Sequence, residues 1–257
     1  MLFRPKSSFV ACTAGLLLSA GTAVAGPGLT LDKGRINIAT SIEVNMSADA
    51  VAKPFSLAPD VSYGVTTKLT LSLIHSTFGT TGFRGNAGRG LCLAGEDKGC
   101  AKVYNNVGVE GLMSLAEGPL AVAANVGVHA VSIDGSVFSA KAGIKLRYNA
   151  RRLVFTSAPA MLIGLTEREV NKESIWIPIM AQYKVSPVVA VGLGSGLKGP
   201  LDGLGDNWEV SLGLSGAYTI SPTMNAGASW VFGKIAGGSD ATGIDYRALH
   251  LWYGITL

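Results

Sequence analysis

The stretch Phe55-Ser56-Leu57-Ala58-Pro59-Asp60-Val61-Ser62-Tyr63-Gly64-Val65-Thr66-Thr67-Lys68-Leu69-Thr70-Leu71-Ser72-Leu73 decides the fold. Phe55, Leu57, Pro59, Val61, Tyr63 and Val65 alternate with Ser56, Ala58, Asp60, Ser62 and Gly64. After the tight link Thr66-Thr67 the alternation resumes, with Leu69, Leu71 and Leu73 set against Thr70 and Ser72. Successive side chains of a strand point to opposite faces, so this period of two reads as two strands joined by a hairpin. One face is aliphatic and aromatic. The other is small and polar and carries a carboxylate, Asp60.

The same pattern extends in both directions. Upstream, Ile36, Ile38, Thr40, Ile42, Val44 and Met46 fall on one face, and Arg35, Asn37, Ala39, Ser41, Glu43 and Asn45 on the other. Downstream, strands are expected at 103–116, 120–132, 138–149, 152–165, 174–185, 188–197, 208–220, 223–233 and 246–257. With the strands already read this gives about twelve, an even number as single-chain bacterial barrels require.

Charge placement selects among the all-β folds. Glu43, Asp60, Glu110, Lys141, Lys145, Arg147, Lys184 and Glu209 share the parity opposite to the aliphatic face, and only Arg247, at a strand end, breaks it. A charge facing lipid at mid-bilayer costs roughly 2–4 kcal/mol, a penalty that would produce such segregation. A soluble sandwich alternates too, but its wet face usually carries many charges, and here that face is mostly Ala, Gly, Ser, Thr and Asn. The links Thr66-Thr67, Glu117-Gly118-Pro119, Ala150-Arg151, Ser186-Pro187 and Ser221-Pro222 are short, while 76–102, 166–173, 198–207 and 234–245 are long. Short periplasmic turns and long outer loops are the rule of outer-membrane barrels. The expected fold is therefore all-β, a closed antiparallel up-and-down transmembrane β-barrel over residues 35–257.

Composition agrees. Hydrophobic residues make up 48% and charged residues 15%, with a mean hydropathy of +0.36. Soluble domains carry about a quarter charged residues, yet no apolar run in the mature region reaches the roughly 20 residues of a membrane helix. Residues 1–25 read as a signal peptide: Arg4 and Lys6, an apolar stretch from Phe9 to Leu18, then Ala23-Val24-Ala25. Residues 26–34 are expected as a short periplasmic N-terminal segment. Export would remove Cys12 and leave Cys92 and Cys100, an even pair in an oxidising compartment, expected to form a disulfide across the longest loop. That loop either stiffens an external hairpin or folds inward to narrow the pore, with Arg84 and Arg89 near the constriction. The small net charge of +4 gives no reason to expect a nucleic-acid partner.

The chain resembles the broad class of small bacterial outer-membrane barrel proteins that includes porins and small-solute channels. The resemblance runs from Arg35 to Leu257 and rests on the alternation, the turn asymmetry and the strand-turn-strand Leu57–Leu71. The class usually ends on an aromatic residue; here Leu249, Leu251, Tyr253 and Ile255 alternate up to Leu257. It implies an outer-membrane location, membrane lipid as a partner, and passive passage of small polar or anionic solutes. The alternative is a structural barrel whose external loops bind a partner without transport.

Signals for chemistry are weak. Gly194-Ser195-Gly196-Leu197-Lys198-Gly199 matches a dinucleotide fingerprint but runs into Pro200-Leu201-Asp202-Gly203 rather than a helix. His75, His129 and His250 have no partner at metal-ligand spacing, so no metal or cofactor is expected and no catalytic residue is assigned. The expected pore lining is Arg35, Glu43, Asp60, Lys68, Glu110, Lys141, Lys145, Arg147, Lys184 and Glu209. By strand direction Arg35, Lys68, Arg147 and Lys184 gather at the periplasmic mouth, and Glu43 and Glu209 at the outer one. These charges either bias ion passage or pair across the interior. Leu112, Leu162, Trp176 and Met180 share the inward parity and are candidates for a plug.

Overall fold

Period-two sequence becomes strand throughout the computed structural model, which describes residues 28–84, 87–96, 99–100, 102–238 and 246–257. The expected signal peptide, 1–25, lies outside the described residues. The strands are β1 (Ile36–Asn45), β2 (Phe55–Thr66), β3 (Leu69–Ile74), β4 (Leu91–Ala94), β5 (Val107–Ala116), β6 (Leu120–Ser132) and β7 (Val137–Ala150). There follow β8 (Leu153–Ser157), β9 (Ala160–Gly164), β10 (Ser174–Lys184), β11 (Val189–Pro200), β12 (Glu209–Ser221), β13 (Met224–Gly237) and β14 (Arg247–Thr256). Two single-turn helices, α1 (Thr77–Thr81) and α2 (Leu204–Asn207), sit in the loops.

These segments form one closed antiparallel ring. β1 pairs with β2 on one side, Ile36 opposite Tyr63, and with β14 on the other, Asn37 opposite Thr256. Fourteen segments make twelve wall positions, because two positions are each built from two segments. β4 and β3 share the place beside β2, facing Phe55–Leu57 and Val61–Thr66 respectively. β8 and β9 share the place between β7 and β10. The strand expected at 152–165 is thus broken at Ala158-Pro159, where proline has no N–H to give the ladder. Closure leaves no row of unpaired backbone groups, the condition for a sheet surrounded by lipid.

The two faces separate as the sequence demands. In β1, Asn37, Ala39, Ser41 and Glu43 are buried, and the aliphatic residues between them lie outward. Outside, large apolar side chains such as Leu71, Val109, Val126, Ile144, Leu193 and Leu214 stand exposed. Tyr63, Tyr148, Tyr183, Tyr218 and Tyr253 are also exposed and all lie near the short-turn end of their strands. Outward tyrosines at one level form the aromatic girdle typical of membrane barrels.

Some boundaries differ from the sequence reading. The strand expected from 103 begins at Val107, because before it the Asn105 N–H donates to the Gly90 carbonyl and Asn106 Oδ1 accepts from the Gly90 N–H, which ties this stretch to the loop. Gly194–Gly199 lies within β11, and only the four-residue α2 comes after it, so no dinucleotide platform exists there.

Candidate functional site: the barrel lumen

The lumen is built from the inward parity of the strands and crossed by two segments that do not belong to the wall. The first begins where β3 stops early, at Ile74. Ser76 caps α1, its Oγ accepting from the Gly79 N–H at 2.8 Å, and Gly82 ends the helix with φ of 76°. Two buried wall carboxylates hold the start of this turn. Asp60 on β2 accepts from the backbone N–H groups of His75 (2.7 Å) and Ser76 (2.9 Å) and from Ser76 Oγ (2.5 Å). Glu43 on β1 accepts from the Thr77 N–H (2.9 Å) and Thr77 Oγ1 (3.0 Å). Lys141 Nζ on β7 donates to the Gly79 carbonyl at 3.0 Å.

From there the chain reaches the opposite wall. A Cβ added at Gly82 would lie 2.5 Å from Pro178 Cγ, so only glycine permits this approach to β10. Phe83 packs against Trp176, ring centroids 5.8 Å apart, and fills the space above Gly196. The Arg84 guanidinium stacks over Phe78 at 4.3 Å and over Trp252 at 5.4 Å. Residues 76–84 therefore form a bar across the lumen.

Beyond the bar the loop returns to the rim. The Gly90 N–H bonds Asn106 Oδ1, and Arg89 Nη1 donates to the Val131 carbonyl at 2.9 Å. Cys92 and Cys100 are bonded, with Cα atoms 5.9 Å apart. One part of the loop is stapled and another turns inward with Arg84, while Arg89, expected beside it, lies past the bar on Val131.

The second segment comes from the N-terminal side. Residues 28–31 turn into the short-turn end of the barrel. The Leu31 N–H donates to Thr70 Oγ1, and Thr30 Oγ1 to the Thr67 carbonyl, both at 2.8 Å. Arg147 Nη2 donates to the Gly28 carbonyl at 2.7 Å. Gly64 allows the entry, because a Cβ there would sit 2.1 Å from the Asp32 carbonyl oxygen. This inward path was not anticipated from the sequence.

Between the two segments lies a cavity of about 130 Å³. Asp60, Glu110, Lys141, Lys145 and Arg147 supply its charges, and Leu112, Val154, Met180 and Val231, from β5, β8, β10 and β13, its apolar wall residues, together with Leu29 and Leu31 of the N-terminal segment. Glu110 is the hub of the polar side. Its Oε1 accepts from Lys141 Nζ (2.6 Å) and faces His129 Nε2 (2.9 Å), and its Oε2 accepts from Asn125 (2.9 Å).

The expected lining residues divide into three groups. Glu43, Asp60, Glu110, Lys141 and Arg147 are buried inside, and Lys145 is half-buried beside them. Glu209 lies at the loop end, paired with Lys198 at 3.0 Å and near Lys234 at 3.9 Å. Arg35 precedes β1 and Lys68 sits in the β2–β3 turn, both exposed, while Lys184 ends β10. The gathering of bases expected at the short-turn mouth is therefore spread between the rim and the interior. The sequence reading passed over Lys198 and Lys234, although the parity of Lys198 with Ala190 and Gly192 places it inward.

A closed barrel with a polar interior and an apolar outer band defines a class of outer-membrane, porin-like architecture. Particular likenesses follow. The NanC porin superposes with a TM-score of 0.53 at 9% identity, over 86% of this chain and 98% of its own. The KdgM porin does so at 0.55 and 8%, over 85% and 98%. The COG4313 outer membrane channel from Pseudomonas putida F1 gives 0.56 and 12%, over 89% and 97%. At these identities the likeness is one of fold. No family model and no curated protein matches the chain.

Proposed function

We propose that this protein is a passive outer-membrane channel for small anionic solutes, exported by cleavage after Ala25. The observation that carries the anion preference is unequal saturation of the lumen's charges. The oxygens of Glu43, Asp60 and Glu110 already accept hydrogen bonds from Thr77, Ser76 and His75, and Asn125, His129 and Lys141. Arg84 and Lys145 have no ion pair within 4.0 Å among the described residues. A cation left over in a narrow, partly desolvated passage attracts anions by about 1–4 kcal/mol at a few ångströms. One of the superposing structures carries the description KdgM porin in complex with disordered oligogalacturonate, an acidic ligand in a barrel of this fold.

Reversal potentials across planar bilayers in a potassium chloride gradient test the reading. Chloride preference supports it, and cation preference overturns it. The bar and the N-terminal segment favour a second reading, a filled structural barrel whose external loops bind a partner. Absence of single-channel steps from correctly folded protein would select that reading.

A further inference from the structure

Unsatisfied hydrogen-bonding atoms are unevenly distributed inside the barrel. Of twelve buried side-chain nitrogen and oxygen atoms without a partner among the described residues, seven belong to Ser41, Arg84, Ser229, His250 and Trp252. These residues adjoin one another. Ser229 stands opposite His250 in the β13–β14 register, and Ser41 stands opposite Trp252 in the β1–β14 register. Arg84 reaches them from the bar, its guanidinium face resting on Phe78 and Trp252. Stacking occupies the face of the guanidinium and leaves Nε and Nη1, which point to different sides of its rim, without a partner.

The chemistry of these atoms is one-sided. Arg84 Nε and Nη1 and Trp252 Nε1 are obligate donors, while the serine hydroxyls and the His250 ring adapt to either role. Buried donors ordinarily find acceptors, and a carboxylate oxygen is the acceptor a guanidinium N–H bonds most strongly. Glu43, opposite His250 in the register, accepts from Thr77 and forms no ion pair with Arg84 within 4.0 Å among the described residues. Arg84 and Ser229 also line the cavity, where Val231 lies two residues along β13 from Ser229 and Leu112, Val154 and Met180 add apolar surface from β5, β8 and β10.

We propose that this cluster binds the carboxylate of a small monocarboxylic acid whose apolar body lies in the cavity. The proposal rests on the anion-channel reading and narrows its solute class. The carboxylate, which only accepts, takes an Arg84 N–H and the Trp252 N–H, with the serines and His250 completing the shell. The apolar body lies against the apolar residues that line the cavity.

Calorimetric titration of the full chain in detergent with benzoate, benzamide and acetate tests it. Benzoate should bind, and benzamide, which lacks the charge, and acetate, which lacks the body, should each bind about tenfold more weakly. R84Q should lose about tenfold in benzoate affinity, since it removes a charge-assisted hydrogen bond. W252F keeps the ring and loses only the orphan N–H, so a severalfold loss is expected. Heat-dependent gel mobility checks that both variants are folded. Benzamide binding as well as benzoate, acetate matching benzoate, unchanged affinity in both variants, or no binding heat at all would each overturn the subsite. Conductance of the same preparation keeps the two ideas apart. Protein that conducts but ignores benzoate loses the subsite alone, and protein that binds benzoate without conducting loses the channel alone.

Discussion

Two segments enter the lumen from opposite ends, and they are held by different physics. The bar, residues 76–84, is fastened by two buried carboxylates and a lysine, and most of its bonds involve a charged partner. Residues 28–31 are fastened by two neutral bonds from Thr30 and Leu31 and by Arg147 on the Gly28 carbonyl. Hydrogen bonds to charged groups contribute about 1.5–3 kcal/mol each, and neutral ones about 0.5–1.5 kcal/mol. The bar is therefore bound tightly to the wall, and the N-terminal segment is the more readily displaced of the two. Any gating by movement belongs first to the short-turn end.

The largest effect should come from D60A. It strands the N–H groups of His75 and Ser76 and the Ser76 hydroxyl, so stability should fall by on the order of 3–5 kcal/mol. Urea unfolding followed by tryptophan fluorescence would measure this, and conductance should rise several-fold with added noise as the bar loosens. A smaller stability loss than that of the N-terminal truncation described next would break the comparison.

Removing residues 28–33 while keeping the export signal should raise conductance and change stability by only about 1–3 kcal/mol. G64A asks the same question with one methyl group. Its Cβ has no room beside the Asp32 carbonyl, so the variant should conduct like the truncation and unfold close to the native protein. Native conductance in G64A would mean that the segment does not obstruct the passage.

The smallest effect on conductance should follow from C92S with C100S. The disulfide closes a short loop at the rim and contributes about 2–3 kcal/mol by loop entropy. Thermal unfolding should shift while single-channel conductance stays the same. A change in conductance would show that the stapled loop and the bar act together.

The wall of this protein was legible because lipid imposes a rule on every second residue. Glu43, Asp60, Glu110, Lys141 and Arg147 could be placed inside from parity alone, and the hairpin links from Gly118-Pro119, Pro187 and Pro222. The contents of the lumen obey no such period. Residues 75–84 are short, polar and glycine-rich, and their path depends on wall carboxylates far away in sequence. Leu29 and Leu31 read as an ordinary approach to a strand. Parity also says nothing about depth: Arg35 and Lys68 have the inward parity yet lie past the strand ends, exposed in turns. The orphan donors around Trp252 became visible only when β1, β13 and β14 were brought together.

The tyrosines outside the barrel act as a waterline. Tyr63, Tyr148, Tyr183, Tyr218 and Tyr253 share one level near the short turns, and rings of this kind prefer the boundary between headgroups and hydrocarbon. The barrel is thereby moored to one leaflet, and a bilayer thicker or thinner than its apolar band must adjust at the opposite rim. That rim carries the stapled loop and the root of the bar. Lipid chain length is then a dial on the end of the barrel from which the bar departs.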